Sequence, residues 1–196
     1  MVEVLMQLLT EPMKALNNAK KSRDFNRTIE ILVLSWVLLA SSNYIASLTF
    51  GSLPLLDAII SIIIFFIGIL FTIFFSKVFE KIMLTLGGKG TYFESLTAFS
   101  YSLFAVSFGF FGTSLMALFN QVLAVSFGLL LIAYTGALSF STFYRSLKEL
   151  FNVDYVTVFI AIGLLLFAVL FASFISGIYA SSGLPFFQKI LDIPLM

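Results

Sequence analysis

The stretch IISIIIFFIGILFTIFF, residues 59–75, decides the fold. It holds no charged residue, and its polar members are one serine, one threonine and one glycine. A helix needs about 20 mostly apolar residues to cross a hydrocarbon core of about 30 Å, and with flanking residues 55–79 this block is long enough. The strictly alternating ten-residue segments of an outer-membrane barrel are absent. Inside a bilayer only a helix satisfies its own backbone, so the block reads as a transmembrane helix.

Outward from this block the same logic repeats. Four further apolar runs cover about 28–50, 95–119, 122–144 and 155–179. The chain of 196 residues is 60% hydrophobic and 11% charged, with a mean hydropathy of +1.09. Soluble domains carry about 25% charge, so the apolar surface here must face hydrocarbon. The expected fold class is all-α: a polytopic membrane protein with a five-helix transmembrane bundle over residues 28–180. It is preceded by a cytoplasmic arm, 1–27, and followed by an external tail, 181–196.

The arm is too long and too polar for a secretory signal. Leu5, Leu8, Leu9, Met13 and Leu16 recur at spacings of three and four, which predicts an amphipathic helix lying on the membrane surface. Thr10-Glu11-Pro12 predicts a meeting of two short helices, with Thr10 as cap and the proline in a permitted early position. Lys14, Lys20, Lys21, Arg23 and Arg27 give this arm five basic residues. The connection 77–94 adds three and the connection 145–154 two, whereas the opposite side holds Lys189 alone. The positive-inside rule then places the amino terminus in the cytoplasm and the carboxyl terminus outside.

No cysteine and no histidine occurs in the chain. That removes disulfides, thiolate chemistry, the usual zinc, copper and haem ligands, and the commonest neutral-pH base. No Gly-x-Ser-x-Gly sequence accompanies the many serines, and no aspartate pair lies within a span, so neither an enzyme nor a cofactor is expected. A formal net charge of +1 gives no reason to expect a nucleic-acid partner. Gly87-Gly88-Lys89-Gly90-Thr91 lacks the Gly-Lys-Ser/Thr order and the preceding strand of a phosphate loop, so it reads as a helix-ending turn.

Candidate contact residues for a protein partner or lipid headgroups are Lys20, Lys21, Arg23, Arg27 and Lys89, as basic residues at a cytoplasmic face. Asn43, Tyr101, Ser102 and Tyr134 form the candidate intramembrane polar cluster. Small residues at four-residue spacing mark Ala105, Gly109, Thr113 and Ala117 in the third span and Ala133, Ala137 and Ser141 in the fourth. A third stripe runs Ala168, Ala172, Ser176 and Ala180 in the fifth. They predict close helix packing within the chain, or an oligomer contact.

Three segments together resemble the Yip family, membrane proteins named for interaction with Ypt/Rab GTPases, and its short archaeal and bacterial members above all. They are Leu9-Thr10-Glu11-Pro12, the turn Leu86-Gly87-Gly88-Lys89-Gly90-Thr91-Tyr92-Phe93-Glu94-Ser95-Leu96, and Ala98-Phe99-Ser100-Tyr101-Ser102. The Asp-Leu-Tyr-Gly-Pro motif of the longer eukaryotic arm is absent. The resemblance implies a five-span plan, a prokaryotic plasma membrane and a non-catalytic role as scaffold or adaptor in membrane organisation. Lipid handling, by scrambling or bending, and a small-solute transporter or channel are the alternatives.

Overall fold

The computed structural model describes residues 2–49 and 54–167, and every regular element among them is a helix. In chain order these are α1 (Val2–Thr10), α2 (Pro12–Ser22), α3 (Phe25–Thr49), α4 (Pro54–Thr85), α5 (Tyr92–Phe119), α6 (Gln121–Phe151) and α7 (Tyr155–Phe167). Four of them, α3 to α6, are long and apolar enough to cross a membrane. The predicted fifth span coincides with α7 as far as Phe167. The rest of that span, its small-residue stripe and the tail lie outside the described residues.

Helix ends follow local chemistry. Pro12 opens α2 at a position where its missing N–H costs nothing, after Glu11 as cap residue. Thr10 does not act as a cap, because its hydroxyl donates back to the Met6 carbonyl at 2.9 Å. Asn120 ends α5 and starts α6, its Oδ1 accepting from the amides of Val122 (2.8 Å) and Leu123 (3.3 Å). Gly87 supplies the positive φ, +90°, that terminates α4, and the Gly88 amide returns to the Met83 carbonyl at 2.9 Å.

Two helices outrun the hydrocarbon. At 1.5 Å per residue, the 32 residues of α4 exceed a core of about 30 Å, so its last turns stand in water. The charged residues Lys77, Glu80 and Lys81 therefore continue the helix, and Lys77 pairs with Glu80 at 2.6 Å one turn away. Phe79 and Met83, on the opposite face, are fully buried and keep these turns packed. Likewise α6 extends to Phe151, with Leu147 and Phe151 buried.

Helix α5 is the central helix, packed on α3, α4 and α6. Its buried face is built largely from Ser95, Thr97, Ala98, Ser100, Ser102, Ala105, Ser107 and Gly109. Small residues let backbones approach where no hydrophobic effect acts between helices. At Gly109 a Cβ would stand 1.9 Å from Thr135 Oγ1, so only glycine fits. Thr113 donates across to the Gly128 carbonyl at 3.2 Å. The α6 face that meets α5 thus runs through Gly128, Thr135 and Thr142. Ala133 and Ala137 are exposed, so that predicted stripe does not pack against another helix among the described residues.

Helices α3 and α5 run parallel, bonded by hydroxyl pairs at both ends: Thr28 with Thr97 at 3.2 Å, and Ser42 with Ser114 at 2.7 Å. Helix α4 runs against α3, tied by Trp36 Nε1 donating to Thr72 Oγ1 (3.0 Å) and Asn43 Nδ2 donating to Ser61 Oγ (3.0 Å). Other hydroxyls bond their own helix carbonyls, as Ser35 does to Ile31 and Ser107 to Leu103. Most polar side chains are thereby carried through the bundle at little cost, only the Ser100 and Thr142 hydroxyls among the described buried serines and threonines having no partner, while α4 turns Phe66, Leu70 and Phe74 outward.

Candidate functional site

The connectivity brings α1, α2, the start of α3, the ends of α4 and α6 and the start of α5 to one end of the bundle. Ten of the eleven Lys and Arg residues belong to these segments. How they are held divides them into structural cations and available ones.

The arm is folded onto the bundle. Leu8, Ala15, Leu16 and Ala19 are buried as α1 and α2 pack against α5 and α6. This end stands beyond the hydrocarbon, so the hydrophobic effect operates, at about 1.5–3 kcal/mol per buried leucine. The apolar stripe predicted to rest on the membrane is largely turned inward: Leu8 and Leu16 are buried, and Leu5, Leu9 and Met13 half-buried.

Two cations fasten the arm. Lys20 Nζ donates to the Glu149 carbonyl at 2.6 Å, satisfying an unpaired C=O of the last turn of α6. Arg23, in the left-handed region at φ 46°, ends α2 and sends Nη2 to Glu94 Oε1 at 2.8 Å. Glu94 is 7% exposed in its side chain against 65% for Arg23. Its other oxygen accepts from the Thr91 amide at 2.8 Å and from the Thr91 hydroxyl, closing a capping box at the start of α5.

Lys89 sits on a turn fixed at both sides. Its amide donates to the Phe151 carbonyl at 2.9 Å, and a Cβ on Gly90 would lie 2.5 Å from the Phe151 ring. The turn therefore locks α4, α5 and α6 together. The Lys89 side chain is exposed and makes no hydrogen bond or ion pair among the described residues. Lys21 is equally exposed and unpaired, and Arg27 reaches only the neighbouring Asp24, at 4.0 Å. A stacked pair, Tyr144 on Tyr155 with ring centroids 5.5 Å apart, borders the same end, with Lys148 Nζ 3.7 Å from the Tyr155 centroid.

The intramembrane candidates are scattered. Asn43 bonds Ser61, Ser102 returns to the Phe99 carbonyl at 3.0 Å, Tyr101 is 1% exposed, and Tyr134 is 63% exposed on the outer face of α6. No hydrogen bond joins any two of the four among the described residues. A feature not anticipated is a largely apolar groove of about 670 Å³ between α3 and α4, lined by Val37, Tyr44, Ala58, Ser61 and Phe65 and closed by Phe111 of α5. Long-range ties such as Arg23 to Glu94 leave no mark on local sequence. The Thr91-x-x-Glu94 spacing, however, is a legible capping signal.

Apolar spans with their charge gathered on one rim define an integral membrane protein of the polytopic helical class. The Yip1 domain matches residues 6–177, and the chain belongs to that family. Comparison with curated proteins and with solved structures finds no match.

Proposed function

We propose that the protein is a non-catalytic scaffold or adaptor that recruits a protein partner to a membrane through its basic rim. One observation carries this: the bundle gathers its basic residues on one end and folds a separate two-helix arm over it. Lys20 and Arg23 hold that arm, leaving Lys21, Arg27 and Lys89 for contact. By the positive-inside rule the rim is cytoplasmic, in a prokaryotic plasma membrane, and five spans put the carboxyl terminus outside. Cross-linked pull-downs from native membranes, comparing the intact chain with K21E/K89E, test the role. Specific enrichment of one protein, lost in the variant, supports it. Equal recovery by both chains, or no specific protein, refutes it.

Lipid handling is the second reading, favoured by the α3–α4 groove, whose apolar lining suits an acyl chain. Reconstituted protein that leaves fluorescent lipid asymmetry and liposome shape untouched removes it. Transport along Asn43, Tyr101, Ser102 and Tyr134 draws no support from their scattered placement.

A further inference from the structure

A second cleft, of about 470 Å³, opens on the basic rim where α1, α2 and the first turn of α3 meet. Its walls are Glu3, Val4 and Gln7 of α1, Asn18, Lys21 and Ser22 of α2, and Arg27 of α3. Unlike the groove between α3 and α4, this one is lined mainly by donors. Lys21 and Arg27 bring two positive charges, and the Gln7 and Asn18 amides add neutral N–H groups. The protein does not consume them. Lys21 and Asn18 make no hydrogen bond among the described residues. The Arg27 guanidinium faces Asp24 alone, its Nε 4.0 Å from Oδ2 and beyond hydrogen-bonding distance, while Asp24 Oδ1 accepts from the Arg27 amide at 3.0 Å. Gln7 touches Glu3 at 3.5 Å, a marginal contact.

Unpaired Lys21, an Arg27 held only loosely by Asp24 and adjacent neutral donors around an open cleft match an anion with several acceptor oxygens. The guanidinium fork of Arg27 suits two oxygens of one phosphate, and the Lys21 ammonium supplies a point charge. Glu3, the one acid on the wall, and Asp24 beside Arg27 keep the empty cleft from carrying its full positive charge. The level of the cleft fits as well. Arg27 lies in the first turn of α3, four residues before the apolar run from Ile31, where a span leaves the headgroup layer.

We propose that this cleft is a binding site for a phosphate ester, held by Lys21 and Arg27. The phosphate is that of an anionic lipid in the adjacent leaflet or of a soluble phosphorylated molecule. The site stands on its own geometry and does not require a protein partner on the rim.

The test uses the full-length chain in detergent. Native mass spectrometry follows retention of dioleoylphosphatidylglycerol against dioleoylphosphatidylcholine, with glycerol phosphate as soluble competitor. Wild type retains the anionic lipid preferentially or binds glycerol phosphate directly. K21Q weakens that binding about tenfold, the order expected for one charge-assisted contact, and R27Q does likewise. Lys21 is exposed and unpaired, so K21Q leaves folding intact, and K21R restores binding. E3Q tightens binding, whereas E11Q, on exposed Glu11, leaves it unchanged. K81Q, an equal loss of charge on the same rim, changes binding less than about twofold. Equal losses in K21Q and K81Q, or no loss in K21Q, overturn the site. Displacement of the lipid by glycerol phosphate at matching concentration assigns the ligand to solution. Failure to displace assigns it to the bilayer.

Discussion

Replacing Glu94 by alanine separates what caps α5 from what holds the arm. E94A removes the capping box on Thr91, worth about 0.5–2 kcal/mol for a helix start. It also removes the Arg23 pair, worth about 0.2–1 kcal/mol because the arginine is 65% exposed and screened. The sum is about 1–3 kcal/mol of bundle stability. R23Q loses the pair alone, so it costs no more than about 1 kcal/mol. Neither change frees the arm, because Leu8 and Leu16 each hold it by about 1.5–3 kcal/mol. L16S does free it. Trp36, the single tryptophan, reports unfolding as SDS is raised in mixed micelles. The chain has no cysteine, so spin labels at cysteines placed on exposed Asn17 and Arg145 report arm docking without background. The expected midpoint drop is larger in E94A than in R23Q, with label distances widened in L16S only. Widening in R23Q equal to that in L16S refutes the ranking, and the ion pair then holds the arm.

Glycines divide by what faces them. G128L drives a side chain into Thr113, whose Cγ2 would lie 2.4 Å from a Cβ at that position, and costs about 1–3 kcal/mol as overpacking. A Cβ at Gly136 would meet nothing within 4 Å, so G136A leaves the SDS midpoint unchanged. Asp154 is held below the ordinary carboxylate value by Thr157, first through its side chain and then through its amide, which donates to Oδ1 at 2.7 Å. The charged form is thus favoured in the folded chain, so its support of the start of α7 is present above the ordinary aspartate pKa and lost as pH falls through the depressed one. The Thr157 amide shift in NMR should titrate below the ordinary aspartate range, and D154N should abolish the step.

Spans are legible because hydrocarbon imposes one rule on every residue it touches. Residues 59–75 announce α4 whatever surrounds them, and the asymmetry of Lys and Arg marks the rim. The extent of α4 and α6 is not legible from hydropathy. Beyond the hydrocarbon a helix is kept by Phe79, Met83, Leu147 and Phe151, whose partners lie on other helices. The packing face of α6 escapes the sequence for a related reason. Ala133 and Ala137 are nearly as small as Gly128, but the register against α5 is set by Gly109 and Thr113. Tyr101 and Tyr134 look alike in sequence, yet one is enclosed and the other faces outward, a difference that helix rotation alone decides.

The same dependence on long-range partners reshapes the candidate site. Five rim cations are equivalent in sequence, and each could serve a partner. Folding distinguishes them by giving Lys20 the open carbonyl of α6 and Arg23 the buried Glu94. Charge at those two positions is therefore tied to the architecture of the rim and is the less open to an interface. Lys89 is presented from a turn pinned to Phe151, whereas Lys21 and Arg27 face one cleft across α1. On the proposed reading, recognition at this end has two components. A rigid lysine projects from the bundle itself, and a recessed pair depends on the arm remaining docked. A change that frees the arm, such as L16S, should abolish the recessed component and leave the one at Lys89 in place.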